Sequence, residues 1–298
     1  MKIKKIILTG ASGFVGQNLC SYLPGNFVVN KYKRGNGVII NSDTVIHLAG
    51  KAHDVKNAIN SNEYYEVNTN YTRKIFNAFM KSEAKVFIFM SSVKAVADSV
   101  VGMLTESHPS DPQTHYGKSK SMAEKDIQGC NIPASKRVYI LRPCMIHGPG
   151  NKGNLNLLYK LVSKGIPWPL GLFENKRSVC SIGNLLFVIK ELIEREDIPS
   201  GVYNVADDVP ISTNELIQLI AESNGKRARL FNLSKSFIRA IARLGDFLKL
   251  PLNSERLRKL TESYVVSNVK IKGVLGKPMP ESSKDGLIKT FQSFTENA

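Results

Sequence analysis

Three glycines spaced three apart, Gly10, Gly13 and Gly16, follow directly on the apolar run Ile3 to Thr9. No other feature confines the chain so tightly. The run carries only two lysines and reads as a buried parallel strand. Behind the glycines, Val15, Leu19 and Leu23 recur at i, i+4 and i+8, one face of a helix, and Pro24-Gly25 ends it. A strand that turns into a helix through such a loop is suited to a dinucleotide. The first glycine permits the tight turn, the second lets the backbone approach a pyrophosphate, and the third lets helix and sheet close up. The open amides and positive dipole end of the helix then face the phosphates. The candidate contacts in the loop are Gly10, Ser12, Gly13, Phe14, Val15 and Gly16.

Downstream the pattern repeats. Apolar runs at Phe27 to Val29, Thr44 to Leu48, Val86 to Met90, Val138 to Leu141 and Gly201 to Ala206 alternate with helical stretches at Tyr65 to Met80 and from Tyr116. This predicts an α/β fold: a doubly wound parallel sheet with a smaller C-terminal substrate lobe. We expect a dinucleotide-binding domain over 1–165 and a substrate-binding lobe over 166–298, interleaved near 177–206. Helices are predicted at 213–223 and 234–250. Between Ile40 and Thr44 only three residues intervene, too few for a parallel crossover. A crossover helix is missing near 35–43.

At 298 residues and 42% hydrophobic composition the chain can bury a full core. No apolar run reaches the roughly 20 residues of a membrane span. The N-terminus turns polar before a signal-peptide core is complete, and the four cysteines lack CxxC spacing, so a cytoplasmic protein with reduced thiols is expected. The balance of 41 Lys+Arg against 25 Asp+Glu, formally +16, points to an anionic partner. At the end of the second strand, where NAD sites place an acid, the sequence reads Asn30-Lys31-Tyr32-Lys33-Arg34. Lys33 or Arg34 suits a 2′-phosphate, so NADP is expected ahead of NAD.

Tyr116-Gly-Lys-Ser-Lys120 sets a phenol and an ammonium on one helix face, and Ser92 ends a strand at the carboxyl edge of the sheet. An ammonium beside a phenol favours the phenolate, so Lys120 is expected to lower the pKa of Tyr116. Proton transfer at a substrate oxygen oriented by Ser92 can then accompany hydride transfer at its carbon. Ser92, Tyr116 and Lys120 are the candidate catalytic residues.

The segments GASGFVG, HLAG, SS, YGKSK and RPCMIHGPG, in this order, resemble the extended short-chain dehydrogenase/reductase superfamily, and within it the nucleotide-sugar epimerases, dehydratases and reductases. The resemblance covers essentially the whole chain. It implies cofactor contacts at Leu48, Ala49, Gly50 and Asn68 as well as at Tyr116 and Lys120. It implies a homodimer and a UDP-sugar substrate, with Ser92 at the sugar and Asn154 and Arg177 on the diphosphate. Dehydratases of this family carry an acidic pair after the strand-end hydroxyl; here Ser91-Ser92-Val93-Lys94-Ala95 has none, which disfavours water elimination. Two reactions remain: a 4-keto reductase of a UDP-N-acetylhexosamine-type substrate in polysaccharide biosynthesis, the first expectation, and a UDP-hexose or UDP-N-acetylhexosamine 4-epimerase with retained NAD. The run GIPWPLG…NKRSVCSIGNL is similar to the bacterial UDP-N-acetyl-quinovosamine-type reductases.

Other classes fit less well. The five histidines lack metal-ligand spacing, so no metal is expected. Basic residues are dispersed with no stacking motif, against nucleic acid. A non-catalytic dinucleotide-binding protein would have no use for Ser92, Tyr116 and Lys120 together. Phe237, Ile241, Leu244 and Leu248 share a helix face flanked by Lys235, Arg239, Arg243 and Lys249, which raises peripheral membrane contact, although such a face ordinarily packs inward.

Overall fold

The computed structural model describes residues 3–32, 37, 39–52, 61–151, 153–248 and 253–295. In chain order it runs β1 (Lys4–Thr9), α1 (Phe14–Tyr22), β2 (Phe27–Lys31), β3 (Thr44–His47), α2 (Ser61–Tyr65), a π-helical turn (Glu66–Asn70), α3 (Tyr71–Met80), β4 (Val86–Met90), β5 (Met103–Leu104), α4 (His115–Gln128), β6 (Arg137–Pro143) and β7 (Met145–His147). There follow α5 (Asn154–Ser163), β8 (Val179–Ser181), α6 (Ile182–Glu194), β9 (Gly201–Val205), α7 (Thr213–Ser223), α8 (Lys235–Leu248), α9 (Ser254–Thr261), β10 (Val265–Val266), α10 (Val269–Leu275) and α11 (Ser283–Thr295).

Six strands form one parallel sheet in the order β2-β1-β3-β4-β6-β9. Its central strands are apolar without alternation because helices cover both faces; every residue of β3 and β4 is buried. One face carries a cluster that includes Leu8, Leu19, Leu185 and Ile189, and the other carries Phe76, Phe79, Phe87 and Ile127. The order changes direction at β1, which pairs with β2 on one side and β3 on the other. This resolves the short connection seen in the sequence. β2 and β3 are not neighbours but flank β1, and among the described residues between them there is no helix.

A third cluster, built from Leu155, Tyr159, Trp168, Phe173, Ile217, Ile220, Leu257 and Phe291 among others, forms the core of the C-terminal lobe. The two-stranded pairs β5–β10 and β7–β8 stitch this lobe to the edge of the sheet that faces the strand ends. α7 is fixed by a full capping box, with Ser212 and Glu215 satisfying each other's amides. No described helix is long and apolar enough to cross a membrane.

Candidate active site

The glycine loop has the geometry its spacing predicts. Gly10 sits at φ +72°, and a Cβ there would lie 2.6 Å from the Ala49 nitrogen. A Cβ on Gly16 would lie 2.3 Å from the Gly10 oxygen. The first glycine therefore lets β1 lie against the end of β3, and the third lets α1 start against the loop. Gly13 caps α1 with no side-chain bond, and its first turn holds no acid. The helix thus presents its amides and dipole without a resident anion. Gly10, Ala11, Ser12, Gly13, Lys31, Leu48, Ala49 and Gly50 line an open cavity of about 670 Å³ together with Gln17, Tyr32 and Tyr71. Phe14 and Val15 instead turn inward against the core under the loop. Lys33 and Arg34 lie outside the described residues.

Beyond Gly50 the cavity meets a buried polar group. Lys120, 3% exposed, donates from Nζ to the Met90 carbonyl at 2.7 Å. A Cβ on Gly50 would come within 2.9 Å of that Nζ and 3.2 Å of Asn68 Oδ1, so both side-chain ends pack directly on the glycine. Asn68, in the π-helical turn, is held from three sides. Its Oδ1 accepts the Lys51 amide at 2.8 Å, and its Nδ2 donates to the Lys51 carbonyl at 3.0 Å and to Ser119 Oγ at 2.9 Å. Behind it a chain of hydrogen bonds runs through the sheet. Thr72 Oγ1 donates to the Asn68 carbonyl and contacts His47 Nε2 at 2.9 Å. His47 Nδ1 meets Thr9 Oγ1 at 2.7 Å, and Thr9 accepts the Ala49 amide. These glycines, the anion-ready helix end and the ammonium next to them fit a dinucleotide.

The Ser92 side chain comes close enough to the Tyr116 phenol to act on its titration. Thr114 caps α4 and so fixes Tyr116 in its first turn. The electrostatics differ from expectation. Burial pushes the Tyr116 phenol up and the neighbouring Ser92 side chain opposes that, while the Lys120 ammonium donates to the Met90 carbonyl. Burial brings Lys120 itself down to about 8, against the attraction of Glu124. Glu124 is in turn paired with Arg142 at 2.5 Å, both buried, and accepts the Ser91 hydroxyl. This pair anchors α4 to β4 and β6 and so sets the height of Tyr116 over the strand ends.

Arg177 stands on the lobe side, its backbone bridged to Ile211 and Tyr264. Its guanidinium donates to the Lys259 carbonyl at the end of α9. Burial lowers the Arg177 pKa, with Glu262 opposing. Burial also lowers that of Lys94, with further depression from Arg177 and Arg258. Lys94 lies 4.4 Å over the Tyr264 ring, and Tyr264 donates to the Ala97 carbonyl at 2.7 Å. Arg177 and Arg258 lower Lys94 while Asp98 and Glu262 raise it, so the cations stand close enough together to receive an anion. The sequence reading missed Lys94 and Tyr264 as site residues; the lysine two places after Ser92 was the available signal. Asn154 begins α5, and its side chain lies outside the described residues. Among the described residues no cluster could hold a metal ion. His115 contacts the Tyr65 hydroxyl at the surface, and His147 is buried against Thr290, neither facing Tyr116.

Comparison with known proteins agrees with this geometry. A UDP-glucose 4-epimerase of Vibrio cholerae is 32% identical over 98% of this chain and 96% of its own length. An N-acetyl-α-D-glucosaminyl-diphospho-ditrans,octacis-undecaprenol 4-epimerase of Escherichia coli O157:H7 is 29% identical over 90% of the chain and 84% of its own. The fold matches that of UDP-glucuronic acid 4-epimerase from Bacillus cereus, solved with NAD, with a TM-score of 0.75 at 18% identity over 98% of this chain and 99% of that one. The profile of the 3-beta hydroxysteroid dehydrogenase/isomerase family matches residues 27–234. With that profile over most of its length and a nucleotide-sugar enzyme matched end to end, the chain belongs to this family of extended short-chain dehydrogenases/reductases.

Proposed function

We propose that the protein is an NAD(P)-dependent nucleotide-sugar oxidoreductase acting at C4 of a UDP-hexose or UDP-N-acetylhexosamine, and that the reaction is 4-epimerisation. The observation that carries the chemistry is the closeness of the Ser92 side chain to the Tyr116 phenol past the end of β4, with the Lys120 ammonium buried on the same helix. Two relatives matched over most of the chain carry 4-epimerase names, which supports epimerisation. The dinucleotide, when bound along Gly10–Gly16 and Ala49–Gly50, supplies the hydride acceptor and donor.

The chain's own residues do the rest. Ser92 Oγ orients the C4 oxygen toward the Tyr116 hydroxyl. Tyr116 takes the proton from that oxygen as the C–H bond breaks and returns it when the bond reforms. Burial resists a phenolate, so the positive charge of Lys120 is required close by; Asn68 fixes the turn beside Gly50 against which the lysine rests. Arg177, Lys94 and Arg258 hold the diphosphate at the far end, and binding energy there positions C4.

A second reading, the 4-keto reductase, is favoured by Lys33 and Arg34 in the sequence, which suit an exchangeable NADPH. Incubating the purified protein with UDP-N-acetylglucosamine, and separately with UDP-glucose, without added nucleotide separates the two. Epimer formation at C4 supports the first reading. No conversion, with NADPH consumption on addition of a 4-keto sugar nucleotide, supports the second.

A further inference from the structure

Helix α8 has two apolar faces and only one of them is covered. Ile238, Ala242 and Gly245, at i, i+4 and i+7, are buried against the lobe. The face expected to pack inward does not. Phe237 is 55% exposed, Leu244 54%, Phe247 84% and Leu248 52%. At 100° per residue these four side chains span an arc of about 100°. The approach to the helix adds Phe231 and Leu233, 51% and 38% exposed. Scattered exposed leucines are ordinary, but a helix-length stripe crowned by two phenylalanines marks a surface that another phase covers.

Charge identifies that phase. Arg239 and Arg243 recur at i and i+4, both exposed, with Arg243 about 40° around the helix from Phe247 at the border of the stripe, while Lys235 lies on the far side over the Phe173 ring. The single acid of the helix, Asp246, is committed to the Ser254 amide at 2.9 Å. The chain as a whole carries +16. We propose that α8 docks the protein on an anionic lipid bilayer, Phe237, Leu244, Phe247 and Leu248 entering the boundary between headgroups and acyl chains while Arg239 and Arg243 meet the lipid phosphates.

The docking surface is joined to the candidate site. α9 packs on α8, and the Lys259 carbonyl of α9 accepts from Arg177. Docking therefore sets the cation cluster one helix away from the lipid.

Sedimentation of the full chain with vesicles tests the proposal without reference to activity. The wild type pellets with vesicles of phosphatidylglycerol and phosphatidylethanolamine, stays in the supernatant with pure phosphatidylcholine, and is released by 0.5 M salt. Removing roughly 1 kcal/mol per cation makes Arg239→Glu/Arg243→Glu bind at least about 25-fold more weakly. Leu244→Ser/Phe247→Ser, both at exposed positions, also loses binding, while circular dichroism remains that of the wild type. Failure of the wild type to pellet with anionic vesicles overturns the proposal. So does equal binding of both variants. A fall in solution mass by half in the Leu244→Ser/Phe247→Ser protein, with no vesicle binding by the wild type, would assign the stripe to a second copy instead.

Discussion

The two ends of the candidate site are built by different means. At the nucleotide end, backbone shape decides: a Cβ on Gly10 would strike the backbone after β3, and one on Gly16 the backbone of the loop itself. At the lobe end, side chains from distant segments converge. Arg177, Tyr264 and Lys94 are brought together by isolated bridges and by the β5–β10 pair, with no long ladder between them. The first construction is rigid and unforgiving of added atoms. The second is made of long side chains, so losing one weakens binding more than it disturbs the fold.

Between the two ends stands Tyr116, and its removal has the largest expected effect. Tyr116→Phe should lower kcat by about 10³-fold while leaving substrate and dinucleotide dissociation constants within about twofold, because the hydroxyl acts in proton transfer alone. A matching loss of binding would merge Tyr116 with the lobe end. Arg177→Ala should raise KM about 10- to 100-fold with little change in kcat, the mark of uniform binding energy. A fall in kcat with KM unchanged would place Arg177 on the chemical side.

Lys120 sharpens the contrast from the side of stability. Its folded-state pKa of about 8 lies below its unfolded value, so the folded protein binds fewer protons between these limits. The destabilisation is full below pH 8 and is relieved as pH rises toward 10.5. Lys120→Met should therefore raise stability at pH 7 by about 1–3 kcal/mol in a denaturant titration, with the gain disappearing at high pH, while turnover is lost. A destabilised Lys120→Met at pH 7 would show that the Met90 hydrogen bond outweighs the buried charge. Thr9→Val should have the smallest effect, about 1 kcal/mol of stability, since it unpairs the Ala49 amide.

The same contrast explains what could be read in the sequence. The glycine loop and the strand positions are local or follow from strand-to-helix alternation, and the structure has them where the pattern puts them. The electrostatics did not follow from spacing. Tyr116 and Lys120 are four apart on one helix, yet the ammonium turns to a carbonyl at the end of β4, a contact that no i, i+4 rule contains. Lys94 gains its meaning only through Tyr264 and Arg177, far along the chain. For α8 the periodicity identified the helix and its apolar stripe correctly, but Ile238, Ala242 and Gly245 took the inward face. Gly245 and Ala242 are weak markers of burial in a sequence, whereas close packing against a lobe selects small side chains.

The hydrogen bonds that run from Ala49 to Asn68 have a direction. The Thr72 hydroxyl proton goes to the Asn68 carbonyl, so His47 must offer its Nε2 proton to Thr72 and keep Nδ1 as an acceptor for Thr9. Thr9, facing Nδ1 with its proton, then receives the Ala49 amide with its lone pair. Every donor points the same way, from the floor of the glycine loop toward the turn that holds Asn68. The imidazole is thus locked in one tautomer and polarised along a single line, like a row of aligned compass needles. A change in the pull on the Ala49 amide is transmitted as a change in dipole at the far end, with no atom needing to move.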